Sequence, residues 1–244
     1  MNLRIIDRPD RGLLPVALPS RRTLLLGVGT LGLGMTIGTT AAQAAPTLRR
    51  GDRGSAVSSL QSRLNRLKYW CGSVDGSFGH LTQQAVWALQ KSAGLGRDGV
   101  VGPNTYRALS NGVQPPRQKT SGWGFEVDLS LQVMTATWNG TLKYILNTST
   151  GSGERYYSGG RWKTATTPKG DFRMYSFYSS GWQSGPLGNL YRPAYYDRGW
   201  AIHGSNSIPT YPASHGCCRI STAATNMLWS RGWMVRQRRV FIHS

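Results

Sequence analysis

Residues 203–219 read HGSNSIPTYPASHGCCR and place two histidines and two cysteines on one short segment broken by glycine and proline. A cysteine thiol is a weak nucleophile until a nearby imidazole converts it to a thiolate. If the segment is extended, His215 and Cys217 point to the same side, because extended side chains alternate with a period of two. Gly216 lets another backbone approach closely, and its N–H is expected to be free to bind a developing oxyanion. His203 is a second candidate base for Cys217.

Two other interpretations of this segment stay open on the residues alone. His203, His215 and Cys217 could be ligands of a zinc ion, or the cysteines could be structural, either in a disulfide or buried together. Adjacent Cys217 and Cys218 lack the spacing of zinc-binding cysteine pairs. A disulfide between neighbours would also be strained. These points favour a nucleophilic thiol.

Residues 1–44 are predicted to be an export signal, because basic residues precede a Gly-rich apolar stretch and the small-x-small cleavage site AQA at residues 42–44. The pair Arg21-Arg22 before the leucine run indicates the twin-arginine route. A membrane anchor is the alternative, but seven Gly and Thr residues between positions 27 and 38 argue against it. We therefore predict an exported protein of the cell wall or extracellular space with no permanent membrane anchor.

The 244-residue chain carries a formal net charge of +19. Residues 1–44 hold five Arg and two Asp, so the rest of the chain keeps a charge of +16. In an intracellular protein this charge would suggest a nucleic-acid partner. Export instead makes an anionic polymer of the cell envelope the expected partner, and we predict no nucleic-acid binding.

The cysteines are few for an exported protein: Cys71, Cys217 and Cys218. An odd number leaves at least one thiol unpaired, which fits a reactive thiol better than a disulfide framework. Cys71 is expected to be a small buried hydrophobic residue. A bridge from Cys71 to Cys218 stays open at this level.

Residues 45–110 form the first predicted domain, and they contain an internal repeat. DGSFGHLT at residues 75–82 recurs as DGVVGPNT at residues 98–105, and each is a Gly-rich turn leading into a helix. Asp98 and Thr105 are expected to cap backbone N–H groups. The stretches LRRGDRGSAVSSLQSRL, DGSFGHLTQQAVWALQ and DGVVGPNTYRAL resemble the type 1 peptidoglycan-binding domain. The resemblance implies a small three-helix module that binds the cell-wall polymer and performs no chemistry.

Residues 111–121, NGVQPPRQKTS, are predicted to be a semi-rigid linker, because two prolines lie among polar and basic residues. Such a linker would let the first domain hold the wall while the second reaches its substrate. Tethering of this kind would raise the effective substrate concentration at the second domain.

Residues 122–244 are predicted to form a mostly antiparallel β domain with one or two short helices. Apolar residues alternate between positions 125 and 137, and Asn139-Gly140 predicts a hairpin turn into a return strand. A helix is expected over residues 223–229, capped by Ser221 or Thr222, and the last strand over residues 233–242. The predicted fold class is therefore α+β with two domains.

The second domain resembles the catalytic domain of the L,D-transpeptidases, the YkuD family. VDLSLQVMTATWNGTL, NTSTGSG, TTPKGDFRM, GPLGNLYRPAYY, GWAIHGSNS and YPASHGCCRIS follow the family order over nearly all of residues 123–244. The resemblance implies that Cys217 is the nucleophile and His203 the proton donor and acceptor. The backbone carbonyl of Gly204 would orient the His203 ring, and His215 would have a supporting role. This ranks His203 above His215 as the base.

Two positions depart from the common family pattern. Cys218 stands where an aliphatic residue is usual, and a buried cysteine behaves as a small hydrophobic residue. Arg219 stands where one branch of the family has Asn. Its guanidinium could bind a substrate carboxylate, assist the thiolate, or make a structural bond to the loop backbone.

The implied substrate is the tetrapeptide stem of peptidoglycan with its glycan. The resemblance implies that Cys217 attacks the third residue, releases D-alanine and forms a thioester, which an amine converts into a 3→3 cross-link. Water as the acceptor would give an L,D-carboxypeptidase, and an inactive second domain would leave a peptidoglycan-binding protein. No metal or organic cofactor is expected, and carbapenems are the expected inhibitors.

Overall fold

The computed structural model describes residues 45–244, so the predicted export signal lies outside the described residues. Three helices come first, and twelve strands follow with a fourth helix before the last strand. No helix of this part of the chain is long and apolar enough to cross a membrane. The helices are α1 (Ser55–Arg66), α2 (His80–Ser92), α3 (Pro103–Ser110) and α4 (Thr222–Ser230); the strands are β1 (Gly124–Asp128), β2 (Val133–Trp138), β3 (Thr141–Asn147), β4 (Arg155–Ser158), β5 (Arg161–Thr164), β6 (Gly170–Arg173), β7 (Ser176–Phe177), β8 (Trp182–Gly185), β9 (Gly188–Asp197), β10 (Trp200–Ser205), β11 (Cys218–Ser221) and β12 (Arg239–His243).

The internal repeat corresponds to two similar hydrogen-bond networks, each centred on a buried glutamine. Gln61 Nε2 donates to Asp75 Oδ1 at 2.7 Å, and Gln90 Nε2 donates in the same way to Asp98 Oδ1 at 2.7 Å. Asp98 also accepts the backbone N–H two residues later, so its predicted bond to the backbone is confirmed. Thr105 lies inside α3, and its hydroxyl accepts a bond from Gln90 at 3.3 Å. The prediction that Thr105 caps a helix was therefore wrong, because the glutamine side chain uses its hydroxyl.

The second module contains two five-stranded sheets and a separate hairpin of β4 and β5. The first sheet has the order β3-β2-β1-β12-β6, with β1 and β12 parallel. The second has the order β11-β10-β9-β7, with β8 also on β9, and β10 and β11 parallel. A mostly β fold is confirmed, but both sheets are mixed. The loop of residues 206–217 is long enough to return the chain to the same end of the sheet, which a parallel pair requires.

An apolar core forms between the two sheets and α4. The predicted helix is confirmed, because Ser221 Oγ accepts the N–H of Ala224 at 3.1 Å and caps α4. Asn139-Gly140 turns as predicted, and both residues have the positive φ of a type I′ hairpin. The last strand is shorter than predicted, because residues 233 and 234 are buried in an irregular segment before β12 begins.

The helical module and the β module share an apolar core. Val133, Leu142 and Ile145 belong to the same apolar cluster as the buried residues of α1, α2 and α3. The backbone N–H of Ile145 also donates to Lys68 O at 2.7 Å. The described residues form a single compact unit. Residues 111–121 therefore connect two bodies that are already packed together.

Candidate active site

The pairing of β10 with β11 explains how alternate residues become a site and a core. His203 lies opposite Arg219 in this parallel pair, and Ile202 lies opposite Cys218. Because side chains alternate, Cys217 points to the same face as Arg219, two residues later. Ile202 and Cys218 point the other way and are fully buried in the core. The nucleophile candidate and the base candidate are thus on one face of neighbouring chain segments.

This face opens onto a cavity of about 560 Å³. Four of the predicted site residues line it: His203, His215, Cys217 and Arg219. The hairpin of β4 and β5 forms one wall, and the turn between β8 and β9 forms another. Further lining residues are Tyr156, Arg161, Lys163, Gly185, Pro186, Leu187, Gly188, Asn189, Leu190, Tyr195, Arg198, Gly199, Trp200, Ser205 and Ser214.

The His203 ring is held in one tautomer by the neighbouring backbone. The residue is 4 % exposed, and its Nδ1 lies 2.9 Å from Gly204 O. A carbonyl can only accept, so Nδ1 carries the proton and Nε2 of the neutral ring keeps its lone pair. Burial lowers the pKa of His203 to about 4, with a smaller effect in the same direction from Arg219. The resting ring is therefore neutral at pH 7 and able to accept a proton.

Cys217 is a half-buried thiol directly before β11. Its Sγ lies 3.7 Å from Gly199 O, to which the S–H donates. Burial raises the pKa of Cys217, while the Ala201 backbone and the charge of Arg219 act in the opposite direction. The resting site thus pairs a thiol with a neutral imidazole, and Arg219 favours the thiolate once it forms.

The backbone of Gly216 is fully engaged, which corrects the expectation for its N–H. Gly216 N donates to Ser214 Oγ at 2.9 Å, and Gly216 O accepts the hydroxyl of Thr167 at 2.7 Å. Ser214 Oγ in turn donates to Cys217 O at 2.6 Å, which closes a tight turn. The Gly216 N–H is therefore not free to bind an oxyanion in this conformation. Among residues 45–244, no acceptor contacts the N–H of Cys217, so that group is the available donor.

We expect Gly216→Ala to destabilise the protein by about 2–4 kcal/mol. The residue has φ +133°, and an added Cβ would lie 2.7 Å from Thr166 O and would also clash with the Trp200 indole. Urea unfolding measures the effect. Gly96→Ala is the control, because Gly96 has open space around its Cα and an ordinary φ. Equal stability of the two variants would contradict the packing described for Gly216.

His215 and Arg219 occupy different parts of the cavity wall. His215 is exposed, and its ring packs edge-on against Tyr156 with the ring centroids 4.7 Å apart. Arg219 is half-buried, and burial lowers its pKa. Its backbone pairs with Ser149, whereas its guanidinium has no hydrogen-bond or ion-pair partner within the described residues. The described residues therefore show no structural bond from the Arg219 side chain to the loop.

The structure also bears on the two other interpretations of this segment. All three cysteines are free thiols, with Cys71 in the core of the helical module and Cys218 in the core between the sheets. A bridge between Cys71 and Cys218 is thus excluded in this fold. Within residues 45–244, no group of three or more His, Cys, Asp or Glu side chains comes together as a metal site.

Sequence reasoning missed the hairpin that forms one wall of the cavity. Arg161 and Lys163 line the cavity from β5, and Tyr156 lines it from β4. The signal for this hairpin is present, because Gly159-Gly160 between RYYS and RWKT is a typical two-residue hairpin turn. Both glycines have positive φ, as that turn requires.

Comparisons with known proteins agree with this architecture. Residues 53–109 match the family described as a peptidoglycan binding domain, and residues 123–242 match the L,D-transpeptidase catalytic domain, YkuD. The crystal structure of an L,D-transpeptidase from Xylanimonas cellulosilytica is 48% identical with a TM-score of 0.77, and the match covers 80% of this chain and 97% of that one.

Two curated relatives match part of the chain. An N-acetylmuramoyl-L-alanine amidase from Mycobacterium tuberculosis is 45% identical over 56 residues, which are 23% of this chain and 14% of the relative. A probable amidase of the same kind from Bacillus licheniformis is 41% identical over 81 residues, 31% of this chain and 22% of the relative. The chain thus spans less than a quarter of either amidase. The two family matches and the 48% identical L,D-transpeptidase structure show that the chain belongs to the L,D-transpeptidase family, with a YkuD catalytic domain after a peptidoglycan-binding domain.

Proposed function

We propose that this protein forms 3→3 cross-links in peptidoglycan through a thioester on Cys217. The observation that carries the proposal is the shared cavity of Cys217 and His203, where the His203 ring keeps Nε2 unprotonated. A thiol and an imidazole in this arrangement suit an acyl transfer in two steps, because the covalent intermediate divides one difficult exchange into two easier ones.

In the first step, the Cys217 sulfur attacks the carbonyl of the third residue of a tetrapeptide stem. The thiol proton passes to His203 Nε2 and then to the nitrogen of the departing D-alanine, so the new S–C bond replaces the C–N bond. In the second step, an amine of another stem attacks the thioester and loses its proton to His203. The sulfur leaves as the thiolate and is reprotonated, and a new amide links the two stems.

The negative charge on the carbonyl oxygen needs donors that are already in place. We propose the N–H of Cys217 for this role, because Ser214 Oγ already accepts the Gly216 N–H. Gly204 would orient the base through the bond from Nδ1. His215 would have a supporting role at the cavity wall, where it packs on Tyr156.

The charge of the cavity supports a substrate that carries carboxylates. Arg161, Lys163 and Arg219 line the cavity, and none of them has a side-chain ion pair within the described residues. The lining contains no Asp or Glu. A stem ending in D-alanine brings a carboxylate to this site, as does a carbapenem, which we propose as the inhibitor class. We propose Arg219 as a carboxylate ligand, because its guanidinium is half-buried and has no hydrogen-bond or ion-pair partner among residues 45–244.

We further propose that residues 1–44 direct export by the twin-arginine route, so that the enzyme acts at the cell wall. The match of residues 53–109 to a peptidoglycan binding domain supports peptidoglycan glycan and stems as partners of residues 45–110. The two amidases that match part of the chain are named for acting on N-acetylmuramoyl-L-alanine.

The test is intact-mass analysis of the protein without residues 1–44 after incubation with a disaccharide tetrapeptide. We expect a covalent adduct equal in mass to the donor minus D-alanine, free D-alanine in solution, and cross-linked dimers when a second stem is added. A carbapenem should give a single adduct per protein. Hydrolysis without dimers would favour an L,D-carboxypeptidase, and no adduct with any donor would leave a peptidoglycan-binding protein.

A further inference from the structure

The loop that carries Cys217 rests on a short segment of the chain, residues 147–151, which we call the support segment. Thr150 O accepts the N–H groups of Ala213 and Ser214 at 2.9 and 2.8 Å. Ser149 pairs with Arg219 in both directions, at 3.0 and 3.3 Å. The support segment therefore contacts the loop on both sides of Cys217, and a shift in the segment would move the loop.

A lysine of the helical module donates hydrogen bonds to the support segment. Lys91 lies at the end of α2 and is 1 % exposed. Its Nζ donates to Gln132 O at 2.9 Å, to Asn147 Oδ1, and to Thr148 O at 3.2 Å. One amine thus bonds to three acceptors of the β module, two of which belong to the support segment.

Two of the lysine's partners, Thr148 and Gln132, make further hydrogen bonds that connect Lys91 to the active-site loop. Thr148 Oγ1 donates to Arg219 O at 2.8 Å, two residues after Cys217. Gln132 holds Thr150 on two sides, since its Nε2 donates to Thr150 Oγ1 at 2.7 Å and its Oε1 accepts the Thr150 N–H at 2.8 Å. A continuous path of short hydrogen bonds therefore runs from α2 to the chain around Cys217.

The lysine is unusual because no carboxylate within residues 45–244 forms an ion pair with it. Burial and, to a smaller extent, the charge of Arg97 together lower the pKa of Lys91 to about 6. No carboxylate contributes to its environment in the described residues. A buried amine without a counter-ion is costly, so packing alone would favour an apolar side chain here. The ammonium can donate to all three acceptors and the neutral amine to two of them. An apolar side chain would leave Asn147 Oδ1 and Thr148 O without this donor, whereas Gln132 O also accepts the Thr148 N–H at 3.2 Å.

We propose that Lys91 is a positioning residue for Cys217. The peptidoglycan-binding module would thus help to hold the nucleophile of the β module in place. This inference rests on the proposed function, because it concerns the same thiol and the same acyl transfer. Contacts from the same module to the loop agree with it: Gln84 Nε2 donates to Ile208 O at 3.4 Å, and Arg97 donates to Thr210 O at 2.8 Å.

The test compares Lys91→Met with the wild-type chain in steady-state transpeptidation and in single-turnover acylation. We expect kcat and the acylation rate to fall roughly 10- to 100-fold, because small displacements of a nucleophile have effects of this size. KM should change less than about two-fold, because the cavity wall that meets the substrate is unchanged. Arg107→Met is the matched control, since Arg107 is an exposed cation on α3 of the same module.

The pH profile of Cys217 alkylation by iodoacetamide separates positioning from loss of stability. Moving the loop changes the distance from the thiol to His203 and Arg219, so the apparent pKa of the thiol should shift in Lys91→Met. A folded protein that is merely less stable would keep the wild-type profile. An unchanged kcat together with an unchanged alkylation profile would overturn the proposal.

Thr148→Val is the second variant, in case Lys91→Met does not fold. It removes the hydroxyl bond to Arg219 O and leaves the interface with the helical module unaltered. We expect a smaller fall in kcat, of roughly three- to ten-fold, again at constant KM. Wild-type activity in both variants would count against the path. A wild-type protein that forms no acyl-enzyme would instead count against the proposed function itself.

Discussion

Cys217→Ala is expected to form no acyl-enzyme with any donor and to lose transpeptidation by roughly 10⁴-fold or more. The variant keeps the fold, because Cys217 is half-buried at the cavity wall and makes a single weak bond from its thiol. Loss of the sulfur removes the atom to which the acyl group is attached. Intact-mass analysis after incubation with a carbapenem or a tetrapeptide stem measures the result directly.

Cys218→Ala is the matched control for this prediction. Its sulfur lies in the core beside the hydroxyl of Tyr196 at 3.7 Å, on the face away from the cavity. Burial raises the pKa of Cys218 to about 12, so it stays a thiol at pH 7. The variant should lose about 1 kcal/mol of stability and still acquire one adduct. A covalent adduct on Cys217→Ala would refute the assignment of the nucleophile.

His203→Asn is expected to lower kcat about 10²- to 10⁴-fold, which is the usual contribution of a general base. The amide of asparagine can donate hydrogen bonds but cannot accept a proton from the thiol. The donor stem should still bind, because the cations of the cavity wall are unchanged. The loss should therefore be in kcat and in acylation rate, with KM nearly constant.

The pH dependence of the wild-type enzyme gives an independent check on His203. Protonated imidazole cannot accept the thiol proton, and burial places the pKa of His203 at about 4. We expect kcat/KM to be maintained as pH falls through 6 and to decline as pH falls through about 4. An acid limb near 6.5, the usual value for histidine, would contradict the burial of this ring.

His215→Asn separates the two histidines. His215 is exposed and packs edge-on against Tyr156, so its loss should reduce activity less than about ten-fold. If His215→Asn were as damaging as His203→Asn, the order of the two bases would have to be reversed.

Local sequence signals predicted much of the fold that positions the site. The Asn139-Gly140 turn, the cap by Ser221 and the helix of residues 222–230 depend on neighbouring residues, so their chemistry can be read along the chain. The motif that resembles the L,D-transpeptidases brought His203 and Cys217 together as a pair. The alternation of side chains along an extended segment favours His215 as the base. That pattern does not indicate that a parallel strand pair places residue 203 beside residue 219.

Other features depend on contacts between distant parts of the chain. Lys91 reaches Asn147 across 56 residues, and nothing near Lys91 in the sequence indicates that its amine is buried. Proline-rich residues 111–121 suggested separate domains, because composition does not reveal the apolar surface shared by Ile145 and the helices. The occupied N–H of Gly216 was likewise hidden, since it depends on the rotamer of Ser214.

The opposite orientations of Cys217 and Cys218 determine what can follow when an oxidant reaches the thiol of Cys217. An oxidised Cys217 would need a second sulfur to form a disulfide. The adjacent sulfur, that of Cys218, is buried in the core on the apolar face of β11. Joining the two would require the strand to turn over and expose its apolar face. The sulfenic acid of Cys217 therefore has no resolving partner inside the protein, and its repair depends on small thiols supplied from the surroundings.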